Sequence, residues 1–138
     1  MIKETITYKD FLGNERTEDF RFHLTEAELL KMEMGISGGF IEYTNRIVAA
    51  QNAPEIIRVF EELLQKSYGV MSPDGKRFMK TPELLQEFIE TEAYSQLFTK
   101  LATDDEAAAK FINGVVPAEM AAKAKAAKNI QAIPSLDK

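Results

Sequence analysis

No cysteine or tryptophan occurs among the 138 residues, and His23 is the only histidine. Without thiols, neither a disulfide framework nor a thiolate metal site can form, and a single imidazole leaves histidine metal centres and proton relays without converging partners. No apolar run approaches the roughly eighteen residues that a membrane-spanning helix needs. The opening Met-Ile-Lys-Glu-Thr-Ile-Thr-Tyr lacks the apolar stretch of a secretory signal, so a cytosolic protein is expected. No serine sits in a nucleophile elbow, which leaves acyl transfer without its usual signature. Asp74-Gly-Lys-Arg77 lacks the two spaced glycines and the following hydroxyl residue of a phosphate loop. With 22 acidic against 17 basic residues, the net charge of −5 opposes a phosphate backbone, and nucleic acid is an unpromising partner.

The residues that are present suit a packed domain. Hydrophobic residues make up 45% of the chain, with nine phenylalanines, four tyrosines and six methionines, enough for one core at this length. Ile2 to Tyr8 alternates as a strand does, and Phe20, Phe22 and Leu24 share one parity against Asp19, Arg21 and His23. Between them Gly13-Asn14 suits positive φ, which predicts an antiparallel hairpin over residues 1–24. Two strands are marginal alone. The hairpin must therefore lie on helices, recruit a third strand from around Phe78, or be completed by another subunit.

Residues 25–117 read as short helices. Thr25-Glu-Ala-Glu28 is a capping box, and Gly35 closes the helix it opens. Gly38-Gly39 makes a corner before a second helix, which carries Phe40, Tyr43, Ile47 and Val48 to about Gln51. Pro54 starts a third helix, with a stripe of Ile56, Ile57, Phe60, Leu63 and Leu64 and with Gly69 as terminator. Ser72-Pro-Asp-Gly75 is a turn between short extended arms. Thr81-Pro82, Thr91 and a second box, Thr103-Asp-Asp-Glu106, open three more helices, the last ending at Gly114. Beyond Pro117 alanine and lysine dominate, with high helix propensity and almost nothing large to bury. The expected fold class is α+β, an N-terminal antiparallel hairpin packed on a compact bundle of short helices. It forms a single domain over 1–117, followed by a helical or mobile tail over 118–138.

Candidate chemistry is sparse. His23 falls on the polar parity of its strand, with no converging partner for a metal or a base role. Asp104, Asp105 and Glu106 lack the alternating ligands of a calcium loop and instead favour a helix dipole. Lys76, Arg77 and Lys80 form either a small basic patch or an ordinary solvated face. Met32, Met34, Ile36 and Phe40 are the candidate partner-binding residues, because this apolar stretch crosses the glycine-rich corner, where backbone can adapt. The competing reading places all four in the core. No catalytic, cofactor-binding or metal-ligating residue is identified.

Three stretches carry a resemblance. They are Thr5-Ile-Thr-Tyr-Lys-Asp-Phe-Leu-Gly-Asn-Glu-Arg-Thr-Glu-Asp-Phe20, Tyr68-Gly-Val-Met-Ser-Pro-Asp-Gly-Lys-Arg-Phe78, and Thr91-Glu-Ala-Tyr-Ser-Gln-Leu-Phe98 running on to Phe111-Ile-Asn-Gly-Val-Val-Pro117. Over about residues 1–120 the chain resembles the tail assembly chaperones of siphophages and prophages of Gram-positive bacteria. The resemblance implies a non-catalytic factor of the host bacterial cytoplasm that binds the tape-measure protein and assists tail-tube subunits to polymerise around it. It also implies a longer form made by ribosomal frameshifting, with which Ala127-Lys128-Asn129 is compatible. The alternatives are a virion structural protein of the tail or connector, in which the hairpin pairs with a neighbour, and a small nucleic-acid-binding regulator using Lys76, Arg77 and Lys80.

Overall fold

Alternation places Ile6 and Tyr8 of strand β1 (Ile2–Lys9) and Phe20 and Phe22 of strand β2 (Glu15–Phe22) on one buried face of a hairpin. Its register runs from Ile2 opposite Phe22 to Lys9 opposite Glu15. The other face is exposed and polar, tied across the strands by Thr5 to Asp19 (2.6 Å) and Thr7 to Thr17 (2.9 Å). This computed structural model describes residues 1–116. The expected boundary at 117, the tail over 118–138 and the Ala127-Lys128-Asn129 run lie outside the described residues.

Among the described residues six helices follow or interrupt the strands: α1 (Glu26–Met34), α2 (Phe40–Ala49), α3 (Ala53–Ser67), α4 (Pro82–Ile89), α5 (Glu92–Thr103) and α6 (Asp105–Val115). The fold is α+β, as its sequence pattern predicts. The hairpin gains a third strand, but not from around Phe78. Strand β3 (Tyr68–Met71) pairs antiparallel with β2, and Phe78–Met79 forms the fourth strand, β4, outside it. Gly69 is therefore not a helix terminator. α3 ends at Ser67 and passes directly into β3, where Gly69 lies opposite Arg21 and a Cβ would come within 2.6 Å of the Phe78 ring.

Local capping follows the sequence closely elsewhere. Thr25 and Glu28 make both bonds of the capping box, at 3.1 and 2.9 Å, and Thr81 and Thr91 accept from Leu84 and Tyr94. Asp104, not Thr103, caps α6, accepting from Glu106 and Ala107, because α5 continues through Thr103. Gly114 lies within α6, where the Ile2 side chain of β1 occupies the space a Cβ would take. α2 ends at Ala49, two residues short of Gln51, whose φ of 54° breaks the helix before Asn52 caps α3.

The core lies between the sheet and the helices. Phe22, Phe60 and Phe111 are fully buried, and Phe88, the only fully buried residue of α4, packs against Phe20, Phe22, Tyr68 and Tyr94.

Candidate partner-binding surface

The corner between α1 and α2 is built by one carboxylate. Gly39, the N-cap of α2, has no side chain to offer the first turn, and its φ of 94° favours glycine. Glu33 of α1 supplies the missing acceptor, its Oε1 taking the Ile41 N–H at 2.7 Å, and its Oε2 fills the space beside the Gly39 Cα. The Glu33 carboxylate thereby bridges α1 to the start of α2 across Gly35–Gly39.

This geometry splits the four predicted contact residues. Met32 and Phe40 point inward, 8% and 3% exposed, and pack with the core. Ile36 is half-buried against it, and Met34 is 80% exposed. The reason is helical spacing. Leu29 and Met32, three apart, form the inward side of α1, while Leu30 and Met34, four apart, form a second apolar strip on the solvent side. Leu30 is 52% exposed, so the strip extends one turn towards the N-terminus of α1.

A second apolar surface was not anticipated from the sequence. Phe11 and Leu12, at the tip of the β1–β2 hairpin, are 78% and 87% exposed. Polar residues are the rule in such turns, so the Phe-Leu pair beside Gly13-Asn14 is itself the signal that could have found it.

Of the two readings of Lys76, Arg77 and Lys80, the basic patch does not hold, because the three do not assemble as one. Lys80 is drawn into the fold, its Nζ donating to the His23 carbonyl at 2.7 Å and to both Glu28 carboxylate oxygens at 2.7 and 2.9 Å. Lys76 and Arg77 stay exposed on the β3–β4 turn. Burial pushes the Glu28 carboxyl up, but the Lys80 and Thr25 hydrogen bonds outweigh it, and the net pKa lies below the ordinary carboxylate value. His23 is half-buried rather than on an open polar face. Its ring lies edge-on to Phe78 at 6.1 Å, and its Nδ1 is buried without a hydrogen-bond partner among the described residues. Burial lowers its pKa, assisted by the charges of the N-terminus and Lys80, so the imidazole is neutral at pH 7.

A polar cluster locks α2 to α3 beside the corner. The Tyr43 hydroxyl donates to Glu55, and Arg58 bonds both, at 2.8 Å to Tyr43 and 2.6 Å to Glu55. The Glu55 pKa is lowered by Arg58 first and Tyr43 second. Asp104, Asp105 and Glu106 sit in the cap and first turn of α6, as helix-dipole charges.

Among the described residues, no three His, Asp or Glu side chains converge to hold a metal ion, and no helix is long and apolar enough to cross a membrane. No curated protein and no solved structure matches the chain. The family model described as phage tail assembly chaperone matches it over residues 1–138. The chain belongs to the phage tail assembly chaperone family.

Proposed function

We propose that this chain binds the tape-measure protein of a siphophage tail in the host bacterial cytoplasm, keeps it soluble, and assists tail-tube subunits to polymerise around it, without catalysis. The observation that carries the reading is the solvent-facing Leu30–Met34 strip on α1, which continues into the half-buried Ile36 at the glycine corner. Apolar side chains left in water on a folded acidic domain are sites for covering another apolar surface. Methionine adapts its shape to such partners at low cost. Met34 and Ile36 make the contact in this reading, and Met32 and Phe40 support it from beneath, or join it if α1 shifts.

Co-expression with the cognate tape-measure protein tests the proposal. The two are expected to copurify without nucleotide, and Met34→Asp, a change on the surface that leaves the core alone, is expected to return the tape measure to the insoluble fraction. Failure of the parent chain, alone and with any frameshifted form, to bind or solubilise the tape measure overturns the reading. The virion-component reading draws on the hairpin's outward β1 strand and exposed tip, which suit pairing with a neighbour. Fixed copy number in purified virions supports it, and scarcity there supports the chaperone.

A further inference from the structure

Helix α4 presents a row of like charges beside an apolar recess. Glu83, Glu87 and Glu90, spaced four and three apart, form one exposed stripe, and none of them joins an ion pair among the described residues. Next to it, between the end of α3, the start of β3 and α4, lies an open cleft of about 300 Å³, lined by Tyr68, Pro82, Leu84 and Leu85 with the half-exposed Lys66. Pro82 borders both surfaces. The cleft is at the bottom of the range of roughly 300–1,000 Å³ seen for small-molecule sites, and suits one or two apolar side chains.

The same chain carries the complement in its own sequence. Of the 22 acidic and 17 basic residues, 20 and 13 lie within 1–116, a net −7, and the remaining 2 and 4 give 117–138 a net +2. Lys123, Lys125 and Lys128 are followed at once by Ile130, Ile133 and Leu136, so a basic run leads into an apolar one, as the acidic stripe adjoins the apolar cleft. The chain also leaves α6 within reach. Gly114 packs on Ile2, Ile2 lies opposite Phe22, and Phe22 lies opposite Tyr68. At ~4.8 Å between strands, Tyr68 is roughly 10 Å across the sheet from Ile2. Thirteen residues separate Val116 from Ile130. That length bridges ~20 Å as a helix and ~43 Å when extended, enough to reach α4 in either form.

We propose that residues 123–136 of this chain dock on α4 of the same molecule, with Lys123, Lys125 and Lys128 along the Glu83–Glu87–Glu90 stripe and Ile130 and Ile133 in the Tyr68–Leu85 cleft. The contact is small, two apolar side chains and a few exposed charge pairs, and would not hold a separate partner. Tethering raises the effective concentration to the millimolar range, which is enough to close it within one chain. Exposed ion pairs are weak and screened by salt, so the docked segment is readily released. While docked it covers Leu84 and Leu85 and keeps that recess from other surfaces. No tape-measure protein takes part, so the docking stands or falls separately from that reading.

The absence of native cysteine makes the test clean. A full-length chain with Ser135→Cys and Lys66→Cys, checked for parental circular dichroism, is mildly oxidised at high dilution, with Gln65→Cys replacing Lys66→Cys if that chain does not fold. The disulfide within one chain, read by free-thiol titration and non-reducing gel mobility, is expected at several-fold higher yield than in a chain with Ser135→Cys and Leu12→Cys. The control thiol sits at the hairpin tip, roughly 25 Å from Tyr68 by the length of β2. Adding Ile133→Ser, or Lys123→Glu, Lys125→Glu and Lys128→Glu together, is expected to cut the yield to the control level. Glu87→Lys with Glu90→Lys is expected to restore it in the chain with the three glutamates. A yield equal to the control, a yield that the charge reversal leaves unchanged, or disulfides formed between copies instead of within one overturns the proposal.

Discussion

Phe88→Ala empties the point where four other aromatic rings meet. Phe88 is 2% exposed, and its ring centroid lies 4.3 Å from Tyr68, 5.0 Å from Phe20, 5.3 Å from Tyr94 and 5.7 Å from Phe22. Truncating a buried phenylalanine costs about 3–5 kcal/mol through lost transfer energy and the cavity left behind. The surrounding rings come from β2, β3 and α5, so no single element can close the hole, and lost ring pairs worth about 0.5–1.5 kcal/mol each push the expected cost to the upper end. A domain of this size has a total stability of about 5–15 kcal/mol, so the loss is a large fraction of the whole. With a urea slope of about 2 kcal/mol per molar, the variant's midpoint falls by roughly 2 M. Phe88→Leu keeps most of the volume and is expected to lose only about 1–1.5 kcal/mol. Phe60→Ala, at a fully buried position on α3, serves as a reference expected to cost about 3–5 kcal/mol. Urea unfolding of these chains, followed by far-ultraviolet circular dichroism, gives the comparison. A Phe88→Ala midpoint equal to the parent's refutes the packing argument, and a Phe88→Leu cost equal to that of alanine refutes the cavity as its origin.

Two further outcomes follow from the geometry. His23 has a folded-state pKa below its ordinary value of about 6.5, so its neutral form favours the fold. Stability from this group is complete above about pH 6.5 and is lost as pH falls from there through the lower folded-state pKa. Glu28 and Glu55, whose pKa values are lowered, contribute fully above the ordinary carboxylate value and lose that contribution as pH falls from there through their folded-state values, so their window opens at lower pH than that of His23. His23→Gln is expected to flatten the upper window in a series of denaturation midpoints, and a parent curve already flat there contradicts the assignment. Gly69→Ala places a methyl 2.6 Å from the Phe78 ring and 2.9 Å from the Met79 carbonyl, and is expected to cost about 1–3 kcal/mol by overpacking. An unchanged thermal midpoint would show that the β3–β4 pair yields freely.

The residues that local rules could place are those whose partners are close in the chain. The parity of Phe20 and Phe22, the Thr25–Glu28 box and the threonine caps at 81 and 91 each depend on neighbours a few residues away, and each forms as its pattern predicts. The misreadings share the opposite property. Gly69 and Gly114 look like helix stops, but each is small because a side chain from a distant segment, Phe78 or Ile2, occupies the space its Cβ would need. His23 looked solvated because strand parity sees one sheet face and not the Phe78 ring packed beside it.

The same division holds for the candidate surface. Sequence alone determined that the chain works without thiols, that its elements are a hairpin and short capped helices, and that residues 32–40 form an apolar stretch around flexible glycines, because composition, periodicity and capping are local properties. Only the tertiary structure decided which of those apolar groups face water. Met32 and Phe40 lie inward because the turns of α1 and α2 that carry them face the core, across a corner bridged by Glu33. Met34 and Leu30 are left outside, and Phe11-Leu12 is carried to the end of a hairpin beyond the reach of the core. Burial is set by what the rest of the chain brings to a position, and that is a sum over contacts far apart in sequence.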